Sequence, residues 1–332
     1  MRPFVTLTQM PSRRADVRAT AAVLTAAAVF GTTGTAQELG PDGTTPLGLG
    51  ALRIVVGTLT LWVLAAASSS PGAPAGTGPD ASSISSLEGL GRRGGLLVAV
   101  GGLGVAAYQP SFLAGTSRSG VALGTVVALG SGPVFAGLFD AVRRRRPPPR
   151  AWTIATAVTI AGGAVLVATG GGAARLDLVG IGCSLVAGAS YALYADTTKQ
   201  LILRGVGSTV ALAASFTVGA ALLAVPAIGE PYDWVTTVGG VALVAHLGIV
   251  TIGVAYWLYG YALRHLPVPR AVTLTLAEPA TAAVLGVVVL GEHLAPAGWL
   301  GIALVLVGLV LTARGSVGGS RAPHAASVAS AT

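Results

Sequence analysis

Apolar stretches of about 20 residues recur along the chain and constrain its fold more than any other feature. A helix needs roughly that many apolar residues to cross a bilayer core. Ten such stretches occur, at 18–37, 46–67, 95–116, 119–140, 151–171, 178–198, 207–228, 237–262, 268–290 and 296–314. Only 10% of the 332 residues are charged, against about 25% in a soluble domain. The sequence therefore predicts an all-α integral membrane protein with ten transmembrane helices.

Basic residues predict how these helices are oriented, because cytoplasmic segments are enriched in Lys and Arg. With the N-terminus inside, every one of the 20 Lys and Arg residues except Arg53, Arg118 and Arg175 falls in a cytoplasmic segment. We therefore expect both termini to be cytoplasmic. The net charge of +8 does not indicate nucleic-acid binding, because the charges lie at the ends of apolar segments and not on one face or domain.

Two parts of the chain show the same order of features. A shift of 146 residues superposes Arg118 on Arg264, Pro133 on Pro279 and Gly162 on Gly308. A repeat of five helices contains an odd number of crossings, so the second copy would be inverted in the bilayer. Inverted repeats occur in many secondary transporters, which bind their substrate near the midplane between the two halves.

This repeat predicts two inverted five-helix halves. The first would cover 18–171, with a flexible Ser-, Gly- and Pro-rich loop within 68–94, and the second would cover 178–314. We expect residues 1–17 to form a cytoplasmic segment and residues 315–332 to form a disordered cytoplasmic tail.

The segment "TLTLAEPATAAVLGVVVLGEHLAPAGWLGIALVLVGLVL" resembles the closing helix pair of EamA-type transporters of the drug/metabolite transporter superfamily. "GVALGTVVALGSGPVFAGLF" is similar to the equivalent segment of the first repeat, although it carries Gly132-Pro133 where the second copy has Glu278-Pro279. The resemblance implies two five-helix halves and transport of a small metabolite or drug-like solute through a central cavity. It also implies a location in the bacterial inner (plasma) membrane.

Glu278 is the most informative single residue, because it lies near the middle of an apolar stretch. An ionised carboxylate at that depth costs at least about 2.5 kcal/mol, so the side chain must face the bundle interior or water, or be protonated. Pro279 removes a backbone donor beside it. A polar group beside a broken helix at the midplane is typical of a transporter site, although a protonated Glu278 could also serve as an interhelical contact.

Further polar and aromatic residues lie within the apolar stretches and could contact a solute. For each, a structural role is an open alternative: snorkelling or pairing for Arg53, bonds between helices for Gln109, and local backbone bonding for Thr33. The remaining solute-contact candidates are Tyr108, Tyr191 and Tyr256, and the candidate helix breaks are Pro110, Pro133 and Pro279. Tyr194, Tyr259 and Tyr261 are interpreted as an interfacial aromatic belt.

These features favour a secondary transporter that exports a small solute by alternating access, with proton coupling through Glu278 as a further hypothesis. The alternatives are a passive channel and, less favoured, a membrane-embedded enzyme, for which the chain offers few His, Asp or Glu residues within the spans. No metal-ligand spacing occurs, and we expect neither metal nor cofactor. The expected partners are a small-molecule solute, a proton and the bilayer, and both monomer and homodimer remain open.

Overall fold

The computed structural model describes residues 13–68, 91–169, 177–291 and 293–314, together with Leu87 and Gly89. The predicted tail and most of the predicted flexible loop lie outside these residues. So does the greater part of the predicted N-terminal segment.

Ten helices in the described part of the chain are long and apolar enough to cross a membrane, which confirms the predicted number. They are α1 (Arg13–Glu38), α2 (Pro46–Ser68), α3 (Gly91–Ser119), α4 (Val121–Arg144), α5 (Arg150–Ala168), α6 (Leu178–Ile202), α7 (Ser208–Ala227), α8 (Val238–His265), α9 (Val268–Val289) and α10 (Pro296–Arg314). Several extend beyond the predicted bounds, because hydropathy marks only the apolar body while the helix continues into polar residues at its ends.

Two of these helices are irregular. α8 contains a π-helical segment, His246–Val254, between the α-helical segments Val238–Ala245 and Ala255–His265. α9 consists of α9a (Val268–Leu274) and α9b (Ala277–Val289), which are separated by a turn. π-Segments and broken helices in membrane proteins frequently occur at functional sites, where the irregular backbone lines a cavity.

Pro279 contributes to the break in α9. Its nitrogen carries no hydrogen, so it cannot donate to the carbonyl of Thr275 four residues earlier. The N–H of Glu278 donates to that carbonyl instead, at 3.0 Å, which closes a tighter turn. The proline thereby places Glu278 in the first turn of α9b.

The expected helix breaks at Pro110 and Pro133 are not present, which corrects that prediction. α3 and α4 continue through these prolines without interruption. Each proline removes one backbone hydrogen bond, and a long helix retains enough of the others on either side to continue.

α5 and α10 pack closely through glycines, and their contacts are reciprocal. A Cβ atom on Gly162 would lie 2.8 Å from the Gly301 carbonyl oxygen and 2.6 Å from the Val305 nitrogen. One on Gly308 would lie 2.9 Å from the Ala155 carbonyl oxygen and 2.7 Å from the Thr159 nitrogen. The shift of 146 residues exchanges the first set of contacts with the second.

This reciprocity is what a two-fold axis between α5 and α10 would produce. The two helices are antiparallel, because residues late in α5 contact residues early in α10. A two-fold axis that relates antiparallel helices is perpendicular to them and therefore lies in the membrane plane. The packing thus supports the inverted repeat, which stays a prediction at the level of the whole halves.

Six of the other helices form two groups of three. In the first group α1 packs on α8 and α9, and in the second group α6 packs on α3 and α4. Helices five positions apart in the chain correspond between the groups, α3 to α8, α4 to α9 and α6 to α1. A cavity lies between the groups.

Candidate functional site

The cavity has a volume of about 460 Å³, within the range of about 300–1,000 Å³ that is usual for small-molecule sites. All of the solute-contact residues predicted from the sequence line it, although they come from six different helices. They are Thr33, Arg53, Tyr108, Gln109, Tyr191, Tyr256 and Glu278. The fold therefore brings together side chains that lie up to 245 positions apart in the chain.

Arg53 of α2 is held at the cavity by Gln109 of α3. The guanidinium Nη2 donates to the Gln109 side-chain oxygen at 3.3 Å, while the buried Nε has no hydrogen-bond partner among the described residues. Gly50, one turn before Arg53, leaves room for this arrangement, because a Cβ atom there would lie 3.1 Å from Cγ of Gln109. Arg53 thus lines the cavity with one hydrogen bond from its guanidinium to another described residue.

Glu278 lines the cavity from the first turn of α9b. Among the described residues, no basic side chain lies within ion-pair distance of its carboxylate. Gly31 allows α1 to approach closely, because a Cβ atom there would lie 2.8 Å from the Glu278 carbonyl oxygen. The carboxylate is therefore held on a fixed backbone and lies at the cavity outside ion-pair distance of the basic side chains that the structure describes.

Aromatic rings line the same cavity. Tyr108 stacks on Phe112 with ring centroids 5.9 Å apart, and it meets Tyr191 edge-on at 6.4 Å. On the opposite side, the rings of Phe30 and Tyr256 lie 5.1 Å apart. A solute in the cavity would contact ring faces as well as charges.

Tyrosine hydroxyls connect α6 to the neighbouring helices at the inner end of the cavity. The Tyr191 hydroxyl pairs with the Thr275 hydroxyl at 2.7 Å, and the Tyr194 hydroxyl pairs with that of Tyr256 at 2.8 Å. All four residues line the cavity. The first pair joins α6 to α9, and the second joins α6 to α8.

The aromatic-belt interpretation is wrong for two tyrosines. Tyr194 is 4% exposed and Tyr259 is fully buried, so neither lies at a membrane surface. Sequence reasoning therefore missed Tyr194, and it also missed Thr275, which lies at the break in α9. The spacing of Tyr191 and Tyr194, three residues apart on one helical face, was the signal that could have identified Tyr194.

The two ends of the cavity differ. Its lining includes Thr44 and Thr45 between α1 and α2 and Pro46 at the start of α2, on the predicted external side. Toward the predicted cytoplasmic side, the lining on α6, α8 and α9 ends at Tyr194, Tyr256 and Thr275 respectively.

Beyond that end of the cavity, polar contacts join the helix ends that are predicted to be cytoplasmic. The Lys199 ammonium on α6 donates to the backbone carbonyls of Leu263, Arg264 and Leu266 at the end of α8. Arg270 of α9a, with a side chain only 8% exposed, pairs with Asp16 of α1 at 2.6 Å. The end of the cavity on the predicted cytoplasmic side is therefore closed by specific contacts as well as by apolar packing.

Ten spanning helices around one polar, aromatic-lined chamber define a multi-spanning membrane protein with space for a small solute. Comparison with known proteins agrees with this description. The profile of the EamA-like transporter family matches residues 178–314. A solved crystal structure that is 22% identical superposes with a TM-score of 0.72 and covers 88% of this chain and 95% of its own length, which shows the same fold.

Relatives that align with more than half of this chain identify its family. The uncharacterized transporter YwfM of Bacillus subtilis (strain 168) is 34% identical over 87% of this chain and 91% of the relative. The threonine/homoserine exporter RhtA of Escherichia coli (strain K12) is 31% identical over 64% of this chain and 70% of its own. A probable terminal-alkyne amino-acid exporter of Streptantibioticus cattleyicolor is 28% identical over 68% of this chain and 75% of its own. The chain belongs to the EamA-like transporter family and is a membrane transporter.

Proposed function

We propose that the protein is a secondary exporter of small zwitterionic amino acids that works by alternating access in a bacterial inner membrane. The observation that carries this proposal is one cavity that presents an arginine and a carboxylate, neither of them in an ion pair among the described residues. A zwitterion carries the two charges that would complement them.

Arg53 would bind the α-carboxylate of the solute. Guanidinium groups bind carboxylates through short, charge-assisted hydrogen bonds that are often bidentate, and Arg53 lines the cavity with one hydrogen bond to another described residue. Glu278 would bind the α-ammonium group. The rings of Tyr108, Tyr191 and Tyr256 would then contact the amino-acid side chain.

The names of two relatives support this solute class, because both describe amino-acid exporters. The aromatic lining also suits an organic cation, which can bind to ring faces. Arg53 opposes that alternative, because a cation would have to enter a cavity that already contains an unpaired guanidinium. We therefore favour a zwitterion over a cation.

Alternating access is supported by the one-sided closure of the cavity. Its lining reaches the predicted external loop between α1 and α2, while buried contacts close the other end. Two groups of helices with corresponding packing face each other across it, as in transporters built from inverted repeats. Movement of one group against the other would close the external end and open the cytoplasmic end.

Proton coupling through Glu278 is a second part of the proposal. A carboxylate in a membrane interior is costly when ionised and unpaired. Protonation would remove that cost when no solute ammonium is present, so protons and solute would compete for the same carboxylate. Such competition would couple proton entry to solute export.

Counterflow in proteoliposomes tests the proposed function. Vesicles loaded with unlabelled amino acid should take up labelled amino acid transiently above equilibrium, because a carrier exchanges solute across the membrane. Arg53→Gln should abolish this exchange, while vesicles loaded with tetraphenylphosphonium should show none. Exchange of the cation in preference to amino acids would contradict the solute class, and uptake without counterflow would indicate a passive channel.

A further inference from the structure

We infer that the two hydroxyl pairs Tyr191–Thr275 and Tyr194–Tyr256 form the gate that separates the cavity from the cytoplasm. This hydroxyl gate would open when α6 separates from α8 and α9. The inference rests on the proposed alternating-access mechanism, and it assigns that mechanism to particular residues.

The position of the four residues is the first argument. They mark where the cavity ends on α6, α8 and α9, and the chain continues from there toward the predicted cytoplasmic side. Fully buried apolar side chains follow, among them Leu263 and Leu266 at the end of α8 and Val272 in α9a. The hydroxyl pairs are therefore the polar contacts at this end of the cavity, and buried packing lies beyond them.

The helices that the pairs connect give a second argument. α6 belongs to one helix group, while α8 and α9 belong to the other, so both pairs cross between groups that would move apart. In contrast, the buried ion pair between Arg270 and Asp16 lies within a single group. It would hold that group together during the movement.

In the described part of the chain, the helices at the predicted external end of the cavity make no contacts equivalent to the two hydroxyl pairs. α1 occupies in the first group the place that α6 occupies in the second. Within the described residues, α6 contacts both α8 and α9, whereas α1 has no comparable contact with α3 or α4. The cavity occupies the space between α1 and those helices. A transporter with one closed and one open gate should show this difference between the two ends of its cavity.

Hydroxyl pairs are suited to a gate that responds to a solute. Each hydroxyl can exchange its partner for a polar group of the solute, so the number of hydrogen bonds need not fall when a pair separates. Lys199 lies further along the same interface, bonded to carbonyls at the end of α8. Its three donors would hold the gate closed until α6 moves.

Cysteine labelling tests the gate without any substrate. Cys183, the one cysteine of the chain, is replaced by Ser, and Leu129→Cys is introduced as a reporter because Leu129 lines the cavity. A membrane-impermeant maleimide is then applied to right-side-out and inside-out vesicles. We expect the parent to be labelled mainly from the external side.

Removal of the gate hydroxyls should expose the reporter to the cytoplasm. Tyr194→Phe and Thr275→Val each remove one pair and keep the side-chain volume, and each should raise the rate of cytoplasmic labelling about two- to tenfold. Two control variants remove hydroxyls that lie away from the cavity. Tyr232→Phe removes a hydroxyl outside the spans that donates to the Ala227 carbonyl. Thr312→Val removes one on α10 that donates to the Gly308 carbonyl. Neither control should change the rate.

The outcomes separate the gate from the proposed function. Gate variants that elute as folded protein and label like the controls would overturn the gate, even if amino acids are transported. A rise in cytoplasmic labelling confined to the gate variants would support it, even if amino acids prove to be the wrong solute. Equal labelling of the parent from both sides would overturn both the gate and alternating access.

Discussion

The uncharged side chain of Gln109 orients the charged side chain of Arg53. Its side-chain oxygen accepts a hydrogen bond from Arg53, and its position depends on the absence of a side chain at Gly50. This bond fixes the half-buried guanidinium of Arg53 in an orientation that lines the cavity. The contribution of Arg53 to solute binding should therefore depend on Gln109.

We predict that Gln109→Leu raises the KM for amino-acid counterflow about tenfold, which corresponds to about 1.4 kcal/mol, with little change in maximal rate. The substitution keeps the approximate volume but leaves the guanidinium without its orienting partner. Gln200→Leu is the matched control, because Gln200 bonds Arg204 at the end of α6, away from the cavity. An unchanged KM in Gln109→Leu would show that Arg53 does not need this partner.

Glu278→Gln should separate solute exchange from proton coupling. The amide has nearly the same shape but cannot release a proton, so a pH gradient should no longer stimulate transport. Counterflow at equal pH should persist with a higher KM, because the amide binds an ammonium more weakly than a carboxylate does. Full stimulation by a pH gradient in the variant would exclude Glu278 as the coupling residue.

At the scale of the helices, close packing of α5 on α10 holds together two elements that line little of the cavity. Glycine is required where the backbones touch, since a Cβ atom on Gly162 would meet backbone atoms that cannot move aside easily. Gly163 lies next to it in the sequence but has no neighbouring atom within 4 Å of an added Cβ. The two positions therefore form a matched pair.

Gly162→Ala and Gly308→Ala should each destabilise the detergent-solubilised protein by about 1–3 kcal/mol, because both introduce a side chain into a close-packed contact. Gly163→Ala should cause no loss, since the methyl group enters open space and alanine favours the helix. Thermal unfolding followed by intrinsic fluorescence measures the difference. Equal effects at Gly162 and Gly163 would contradict the packing described for α5 and α10.

The start of α6 depends on Asp177. Its carboxylate accepts hydrogen bonds from the Gly180 N–H at 2.7 Å and from the Arg118 guanidinium at 3.3 Å. The bond from Gly180 and then the contact with Arg118 lower the pKa of this carboxyl from its ordinary value of 3.8. A carboxyl with a lowered pKa in the folded state stabilises the fold at neutral pH, and that contribution is lost as the pH falls through the folded-state pKa.

Asp177→Ala should therefore lower the melting temperature at pH 7, and the difference from the parent should shrink as the pH is lowered below about 4. Asp177→Asn should retain much of the capping bond but not the charge. Melting curves of the three proteins across this pH range provide the measurement. A difference that does not depend on pH would mean that the bond at the helix start matters while the charge does not.

At the scale of the whole molecule, the orientation in the membrane determines which end of the cavity faces the cell interior. Thr44 lies between α1 and α2 at the cavity mouth, and Arg146 lies between α4 and α5. The distribution of basic residues predicts that these two connections lie on opposite sides of the membrane, with Arg146 inside.

In a Cys183→Ser background, Thr44→Cys should react with an impermeant maleimide added to intact cells. Arg146→Cys should react only after the membrane is opened or inverted. The reverse pattern would make the closed end of the cavity external, and the transporter would then be seen in its cytoplasm-facing state.

Hydropathy and charge were sufficient to predict the membrane class and the number of spanning helices. They were sufficient because each spanning helix must pair its own backbone polar groups and present about 20 apolar residues to the lipid. The hydropathy pattern that identifies a spanning helix is therefore local in the sequence. Local reasoning also identified Glu278 and the other solute-contact candidates, since a polar side chain within a membrane must face the bundle interior or a cavity. It failed at Pro110 and Pro133, because a missing donor does not reveal whether the helix ends or continues.

Contacts between distant residues were decided only by the tertiary structure. The partner of Arg53 is 56 positions away and that of Tyr191 is 84 positions away. Helical periodicity shows which face of α6 carries Tyr194 but not which helix packs against that face. The number and course of the helices follow from the solvation of each segment by lipid, whereas the cavity and its gate depend on how the segments pack against one another.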